Sequence, residues 1–206
     1  AIPPLRLICS GIDSCTVRMS EYVDSFLKPA AQKAASYVRD TTDFINKIKN
    51  LKFTQDNLFL VSMDVISLYP NIEHSEGITA VRKFMEKRSN KIVPSDDLIK
   101  MTKAILTMNV MSFCNKFYHQ IKGTAMGTPM AVNFANLFMT NFETDMLNNY
   151  YQLYNAKPLI WLRFIDDIFF IWSGDEASLK HFLTFCNNFS ENENMKSKIF
   201  FSNYHS

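Results

Sequence analysis

At 206 residues, 47% hydrophobic and 14% aromatic, the chain has enough apolar side chain for a packed core. That excludes a disordered segment and suits one large domain or two small ones. A net charge of +2 excludes a uniformly polycationic chain, and no apolar run approaches the ~20 residues of a membrane helix, so no membrane partner is expected.

In chain order, residues 5–12 (LRLICSGI) read as a strand with a turn at Gly11. Arg6 is the one charge in it; such an arginine is ordinarily a rim residue, but it is also what would reach a triphosphate. Thr16 to Leu27 has helical spacing, through Val17, Tyr22, Val23, Phe26 and Leu27, and Pro29 is expected to end it. Ser36 to Ile48 is mixed, with Asp43 a candidate cap before Phe44. Leu58 to Met63 reads as a buried strand with Asp64 at its C-terminal end, followed by a turn over Ser67–Asn71. Ser75 is placed to cap a helix running to about Arg88, and Asp96 or Asp97 to begin a second through Met108. Val110–Phe113 and Phe117–Ile121 predict a hairpin.

Residues 123–129 (GTAMGTP) form the one glycine-dense loop in a chain with five glycines. Thr128 suits an N-cap and Pro129 the first helical position of a helix to about Asn149. Leu159–Phe164 and Ile168–Trp172 read as two buried strands with Asp166 and Asp167 at the bend between them. Asp175 to Phe189 is amphipathic, and Ile199–Phe201 begins a last strand. Strands and helices segregate as in an α+β fold of ferredoxin-like type, an antiparallel sheet with helices on one face, rather than a doubly wound α/β one.

The adjacent acids of the second hairpin are the chemical signal. Asp-Asp is not a favoured hairpin turn, and two like charges at a tight bend repel and are costly to desolvate. A shared cation would remove that cost; a solvated turn carrying two acids explains the same residues, and on this stretch alone the two readings stand level. Asp64 tips the balance, because carboxylates at the ends of neighbouring strands, ~4.8 Å apart, can share metal ions. Two divalent ions ~3.5–4 Å apart are what phosphoryl transfer between nucleotides uses, and magnesium takes carboxylate oxygen, water and phosphate. No His-Cys cluster competes for a zinc reading. The four cysteines (Cys9, Cys15, Cys114, Cys186) have neither metal nor redox spacing and are expected to be reduced thiols of an intracellular protein. Residues 1–55 hold eight Lys/Arg against five Asp/Glu, and residues 82–103 seven against three. The basic blocks thus lie apart from the acids of interest, which suits a polyanionic ligand held by one part of the chain; ordinary solvated helix faces would give the same excess.

Residues 58–77 (LFLVSMDVISLYPNIEHSEG), 120–139 (QIKGTAMGTPMAVNFANLFM) and 163–171 (RFIDDIFFI) resemble motifs A, B and C of reverse transcriptases, in order. With residues 6–24 similar to a fingers motif and 36–48 to the segment after it, the resemblance covers nearly the whole chain and is closest to Penelope-like retroelements, relatives of telomerase. It implies a right-hand polymerase palm with partial fingers: residues 1–55 as fingers, and 56–206 as palm with inserted fingers helices at about 75–110. It implies RNA-directed DNA polymerase activity on an RNA template, a DNA primer and deoxynucleoside triphosphates, with two Mg²⁺ or Mn²⁺ ions. Asp64 and Asp166 would be the principal metal ligands, with Asp167 the third and the Val65 carbonyl on the nucleotide side. Tyr69 matches the gate against a ribose 2′-hydroxyl, Arg6 the contact to the triphosphate, and Gly127, Thr128 and Pro129 the loop beside the nascent base pair. Gln120 would contact template or nucleotide at the entrance to that loop. Arg163 is given no catalytic role.

The chain departs from the family pattern at Leu7, Cys15 and Val132, where proline is usual, and at Phe200, where a lysine is common. Lys198 lies two residues away on the same strand face, displaced by about 7 Å. Primer grip, thumb and endonuclease are not within the sequence, so a truncated retroelement copy working in the nucleus is expected. Two other readings share the motifs: an RNA-dependent RNA polymerase, which Tyr69 opposes, and a domesticated or inactive remnant that only binds nucleic acid.

Overall fold

A computed structural model describes Ile8, residues 11–55 and residues 57–202. The strand expected over residues 5–12, with Arg6, falls almost wholly outside them. The elements are α1 (Val17–Ala31), α2 (Thr41–Ile48), β1 (Leu58–Asp64), α3 (Leu68–Asn71), α4 (His74–Lys87), α5 (Ser95–Thr107), β2 (Val110–Phe113), β3 (Lys116–His119), α6 (Ala131–Tyr154), β4 (Ile160–Phe164), β5 (Asp167–Ser173) and α7 (Glu176–Asn192). None of the described helices is long and apolar enough to cross a membrane.

By their contacts the residues form two units, one within Ala1–Ala30 and Tyr69–Phe138, the other within Ala31–Leu68 and Met139–Ser206. The second is built on a sheet of order β1-β5-β4, antiparallel at both junctions. Its strands are two-faced, as period-2 side-chain alternation requires. Val61, Met63, Trp161, Ile168, Phe170 and Trp172 point to a buried face. There Trp172 stacks on Phe182 of α7 (4.7 Å between ring centroids), and Tyr150 of α6 meets both rings edge-on. The two long helices therefore cover one face, as expected. On the opposite face Leu60, Ser62 and Phe164 are exposed, and the short α2 reaches it only through Phe44, edge-on to Phe169 at 5.2 Å. A cavity of about 470 Å³ remains between them.

In the first unit Gly77 of α4 lies against Phe134 of α6, where an added Cβ would fall 2.3 Å from the ring. The Ser20 hydroxyl of α1 accepts from the Met130 amide at 3.0 Å, and Asp24 accepts from the Asn133 amide group at 2.7 Å. The β2–β3 hairpin presents Phe113 and Phe117 to solvent.

Several boundaries differ from the sequence reading. Pro29 lies inside α1 rather than ending it; it costs at most one hydrogen bond in a last turn anchored by fully buried Leu27 and Ala31. The cap of α2 is Asp40, not Asp43: Asp40 accepts from the Asp43 amide at 2.8 Å, and Asp43 accepts from the amide of Arg39, the residue before the cap, at 2.9 Å. Within the expected turn, residues 68–71 form one helical turn, α3. Helix α6 starts at Ala131, not Pro129, because consecutive turns, Thr128 N–H to Ala125 O and Ala131 N–H to Thr128 O, absorb the glycine loop first. It runs past Asn149 because Tyr150 is buried against α7. The last strand reduces to one antiparallel bridge, Val65 to Phe201.

Candidate active site

The β4–β5 hairpin closes in an unexpected register. Phe164 pairs with Asp167, so the two-residue loop is Ile165-Asp166, and Asp167 is already the first residue of β5. The acids are therefore not both on the bend. Ile165 has φ +57° while Asp166 is not left-handed, the φ pattern of a type II′ turn, whose first position ordinarily holds glycine. A β-branched residue there is a backbone outlier that its surroundings must hold in place.

The same register sets Asp167 directly opposite Asp64 across β1 and β5. Directly opposite Cβ atoms in an antiparallel pair are ~4.5–5.5 Å apart, so these two carboxylates can reach a common ligand. The Val65 amide donates to the Asp166 carbonyl at 3.0 Å, tying the loop to the end of β1. On the other side of β1, the Ser202 hydroxyl accepts from the Asp64 amide at 2.9 Å and the Ser202 amide donates to the Asp64 carbonyl at 2.8 Å. Burial first, and the Asp166 charge second, raise the Asp167 carboxyl above its ordinary range. The four residues expected to form the metal side, Asp64, Val65, Asp166 and Asp167, thus lie at one end of one sheet.

Beneath this edge is a buried charge cluster. Arg163 and Glu143 have side chains 1% and 4% exposed, with Nε 2.9 Å from Oε2. Glu143 also accepts from Trp161 Nε1 at 3.0 Å and from the Ser36 hydroxyl. Arg163 reaches Thr140 Oγ1 through Nη2 at 3.3 Å and the Ile165 carbonyl through Nη1 at 2.9 Å. Its backbone is fixed too: its amide donates to Ser36 O and its carbonyl accepts from the Val38 amide.

Apart from Arg6, which is outside the described residues, the residues expected on the nucleotide side lie in the other unit. Tyr69 is half-buried in α3, and the glycine loop is fastened to it. The Thr124 amide donates to the Tyr69 carbonyl at 2.9 Å, and His74 Nε2 is 2.7 Å from the Gly123 carbonyl. Gly123 has φ +77°, and a Cβ there would fall 2.7 Å from Pro70 Cα. Gly127, exposed with φ +125°, is approached by Gly11, where a Cβ would come within 2.8 Å of its carbonyl oxygen. Thr128 and Pro129 follow in the turn ahead of α6. Gln120 is held rather than free: its side chain accepts from Asn109 Nδ2 at 2.6 Å and donates to the Lys122 carbonyl at 2.9 Å.

Residues 9–199 match the profile of the family described as reverse transcriptase (RNA-dependent DNA polymerase). The chain belongs to the reverse transcriptase family. No curated protein matches it in sequence. Among solved structures this reverse transcriptase domain is similar to apo telomerase from Candida tropicalis truncated from its C-terminal domain, at TM-score 0.60 and 14% identity over 90% of this chain and 39% of that one. It is similar to telomerase from Candida albicans in complex with a TWJ fragment of telomeric RNA, at 0.65 and 10% over 88% of this chain and 34% of that one. The BmCPV RNA-dependent RNA polymerase at its elongation state gives 0.65 and 13% over 99% of this chain and 19% of that one. The domain thus spans about two-fifths or less of the chains it resembles, and what they share with it is the fold.

Reverse transcriptases generally use divalent metals. The donor chemistry of the domain's sheet edge fits hard cations, since Asp64, Val65, Asp166 and Asp167 offer carboxylate and carbonyl oxygen. Among the described residues, however, no three such side chains are drawn close enough together to hold a metal as they stand. The fit is of donor type and backbone register. Sequence reasoning missed Gly11, His74, Gly123 and the whole Arg163–Glu143 cluster. Gly123 carried a signal in its glycine-dense loop; the two buried charges carried one in falling on otherwise apolar faces.

Proposed function

We propose that the chain is the palm and part of the fingers of an RNA-directed DNA polymerase of Penelope-like retroelement origin. It would add deoxynucleotides from their triphosphates to a DNA primer on an RNA template. The observation that carries this reading is the register that sets Asp64 opposite Asp167 with Asp166 on the adjoining loop, within a chain of the reverse transcriptase family.

In this reading the primer 3′-oxygen attacks the α-phosphorus of the triphosphate, a new phosphodiester bond forms, and pyrophosphate leaves. Asp64, Asp166 and Asp167, with the Val65 carbonyl, would hold two divalent ions, Mg²⁺ or Mn²⁺. Bound there, the ions would ease ionisation of the 3′-hydroxyl and stabilise charge on the leaving oxygen. The raised Asp167 carboxyl supports this, because concentrated negative charge at a partly desolvated edge favours a cation. Tyr69 discriminates by size at the sugar, where one hydroxyl separates the two substrate classes. Gly127 offers bare backbone beside the base pair, and Arg6 meets the triphosphate.

The test is primer extension by the open reading frame that carries this chain, with an RNA template, a DNA primer and deoxynucleoside triphosphates in Mg²⁺. Asp64→Asn and Asp166→Asn should each abolish extension while leaving the fold intact, and extension that survives either change contradicts the assignment. Tyr69→Ala should raise ribonucleotide incorporation. A wild-type protein that prefers ribonucleotides would favour the RNA polymerase reading instead.

A further inference from the structure

Arg163 is committed more fully than stability alone requires. Its Nε, paired with Glu143, already makes the ion pair. Nη1 is spent on the carbonyl of Ile165, two residues along the chain at the first position of the turn. That residue holds a left-handed backbone that a β-branched side chain disfavours. The Ile165 carbonyl belongs to the peptide unit whose nitrogen is Asp166, so fixing it fixes the direction in which the chain enters the acid pair.

The anchorage behind Arg163 is rigid. Glu143 and Thr140, three residues apart and so on one face of α6, both contact the guanidinium. Glu143 is itself held by Trp161 and Ser36, and the Arg163 backbone is paired with residues 36 and 38. A planar guanidinium can span Glu143 and the Ile165 carbonyl together because its donors are held in a fixed fork; a lysine ammonium, a single point on a flexible stem, cannot.

We propose that Arg163 is a positioning residue of the active site, clamping the Ile165 carbonyl so that the left-handed turn presents Asp166 and Asp167 beside Asp64. The inference rests on the polymerase reading for its functional meaning, but the clamp itself can be tested without catalysis.

The experiment uses the 206-residue chain and compares wild type, Arg163→Lys, and Arg163→Lys combined with Ile165→Gly. One readout is amide hydrogen exchange at Val65, whose N–H is bonded to the Asp166 carbonyl, against Val61 and Phe170 in mid-sheet. The other is Mn²⁺ affinity by electron paramagnetic resonance, with Asp166→Asn as control. In Arg163→Lys, exchange at Val65 should accelerate at least tenfold with mid-sheet amides unchanged, and Mn²⁺ affinity should fall about tenfold. Glycine at 165 adopts the left-handed conformation unaided, so the double variant should recover both to within about threefold. A purely structural arginine would not be rescued by a change in the turn. Unchanged exchange at Val65 in Arg163→Lys, or no rescue by glycine in a folded double variant, overturns the clamp. Wild-type Mn²⁺ binding insensitive to Asp166→Asn would instead count against the polymerase reading and leave the exchange result to decide the clamp. If Arg163→Lys does not fold, Arg163→Gln with Glu143→Gln removes both buried charges together and still lacks the reach to Ile165. The same exchange and glycine-rescue outcomes then apply.

Discussion

Two groups of charges meet at the turn end of the β4–β5 hairpin, and the chain treats them in opposite ways. On its buried face Arg163, with Glu143 of α6, is buried, oppositely charged to that partner and hydrogen-bonded with it to Trp161, Ser36, Thr140 and Ile165. At its tip Asp166 and Asp167 are like-charged and accessible and make no ion pair among the described residues, with Asp64 across the sheet. The first group is complete within the chain, and breaking it exposes an unpaired charge to the interior. The second is where the proposed reading puts the cations. A similar contrast holds in the other unit, between Gly123, buried against Tyr69 and Pro70, and Gly127, exposed. A closed site should report through stability and an open one through ligand binding.

Glu143→Ala should have the largest effect. It strands the Arg163 guanidinium in the core, and loss of one partner of a buried pair costs about 3–5 kcal/mol, to be read from denaturant unfolding. A loss under ~1 kcal/mol would mean that the cluster is not the closed site described. Gly123→Ala comes next: a left-handed backbone and a Cβ driven into the Pro70 backbone should together cost about 2–3 kcal/mol. Gly127→Ala places a side chain at a φ of +125° and should cost about 1 kcal/mol, with its larger effect on nucleotide incorporation. Asp40→Ala removes the cap of α2 and should cost about 1 kcal/mol.

Asp167→Asn should have the smallest effect, of opposite sign. Folding raises this carboxyl, so the native state holds the proton more tightly than the unfolded chain does. That contribution is complete below the ordinary carboxylate range. It is lost as the pH rises from the unfolded value to the raised one, and it stays lost above that. Asn at 167 removes the loss, so the variant should melt slightly higher than wild type at neutral pH and no higher in acid. Equal midpoints at both would mean that the rim is not desolvated.

The difference between the two charge groups also explains what the sequence disclosed. Asp64, Asp166 and Asp167 stand at the ends of short apolar runs, where local pattern is strong, and their placement at strand ends was readable. Which of them occupies the turn was not. The register is set by pairing between strands, and it places Ile165 at a position where turn chemistry would have called for glycine. Glu143 and Arg163 are 20 residues apart and Ser36 is 107 residues from Glu143, so no window along the chain contains the cluster. The readable sign was parity: Arg163 shares a strand face with Trp161, and Glu143 follows Phe142 on an apolar helix stripe. Two opposite charges forced onto buried faces can only be satisfied together. The Asp40 cap was misassigned to Asp43 for a smaller reason, since both carboxylates accept backbone amides in the same first turn.

The open end of the sheet is proposed as a cation site. Paramagnetic broadening of backbone amide resonances by Mn²⁺, titrated into the 206-residue chain, tests it directly. Broadening should centre on Asp64–Ile66 and Ile165–Ile168 at the lowest Mn²⁺ and be lost in Asp166→Asn. Broadening that begins instead at other surface acids, such as Asp96 and Asp97 or Glu191 and Glu193, and ignores that substitution would contradict it.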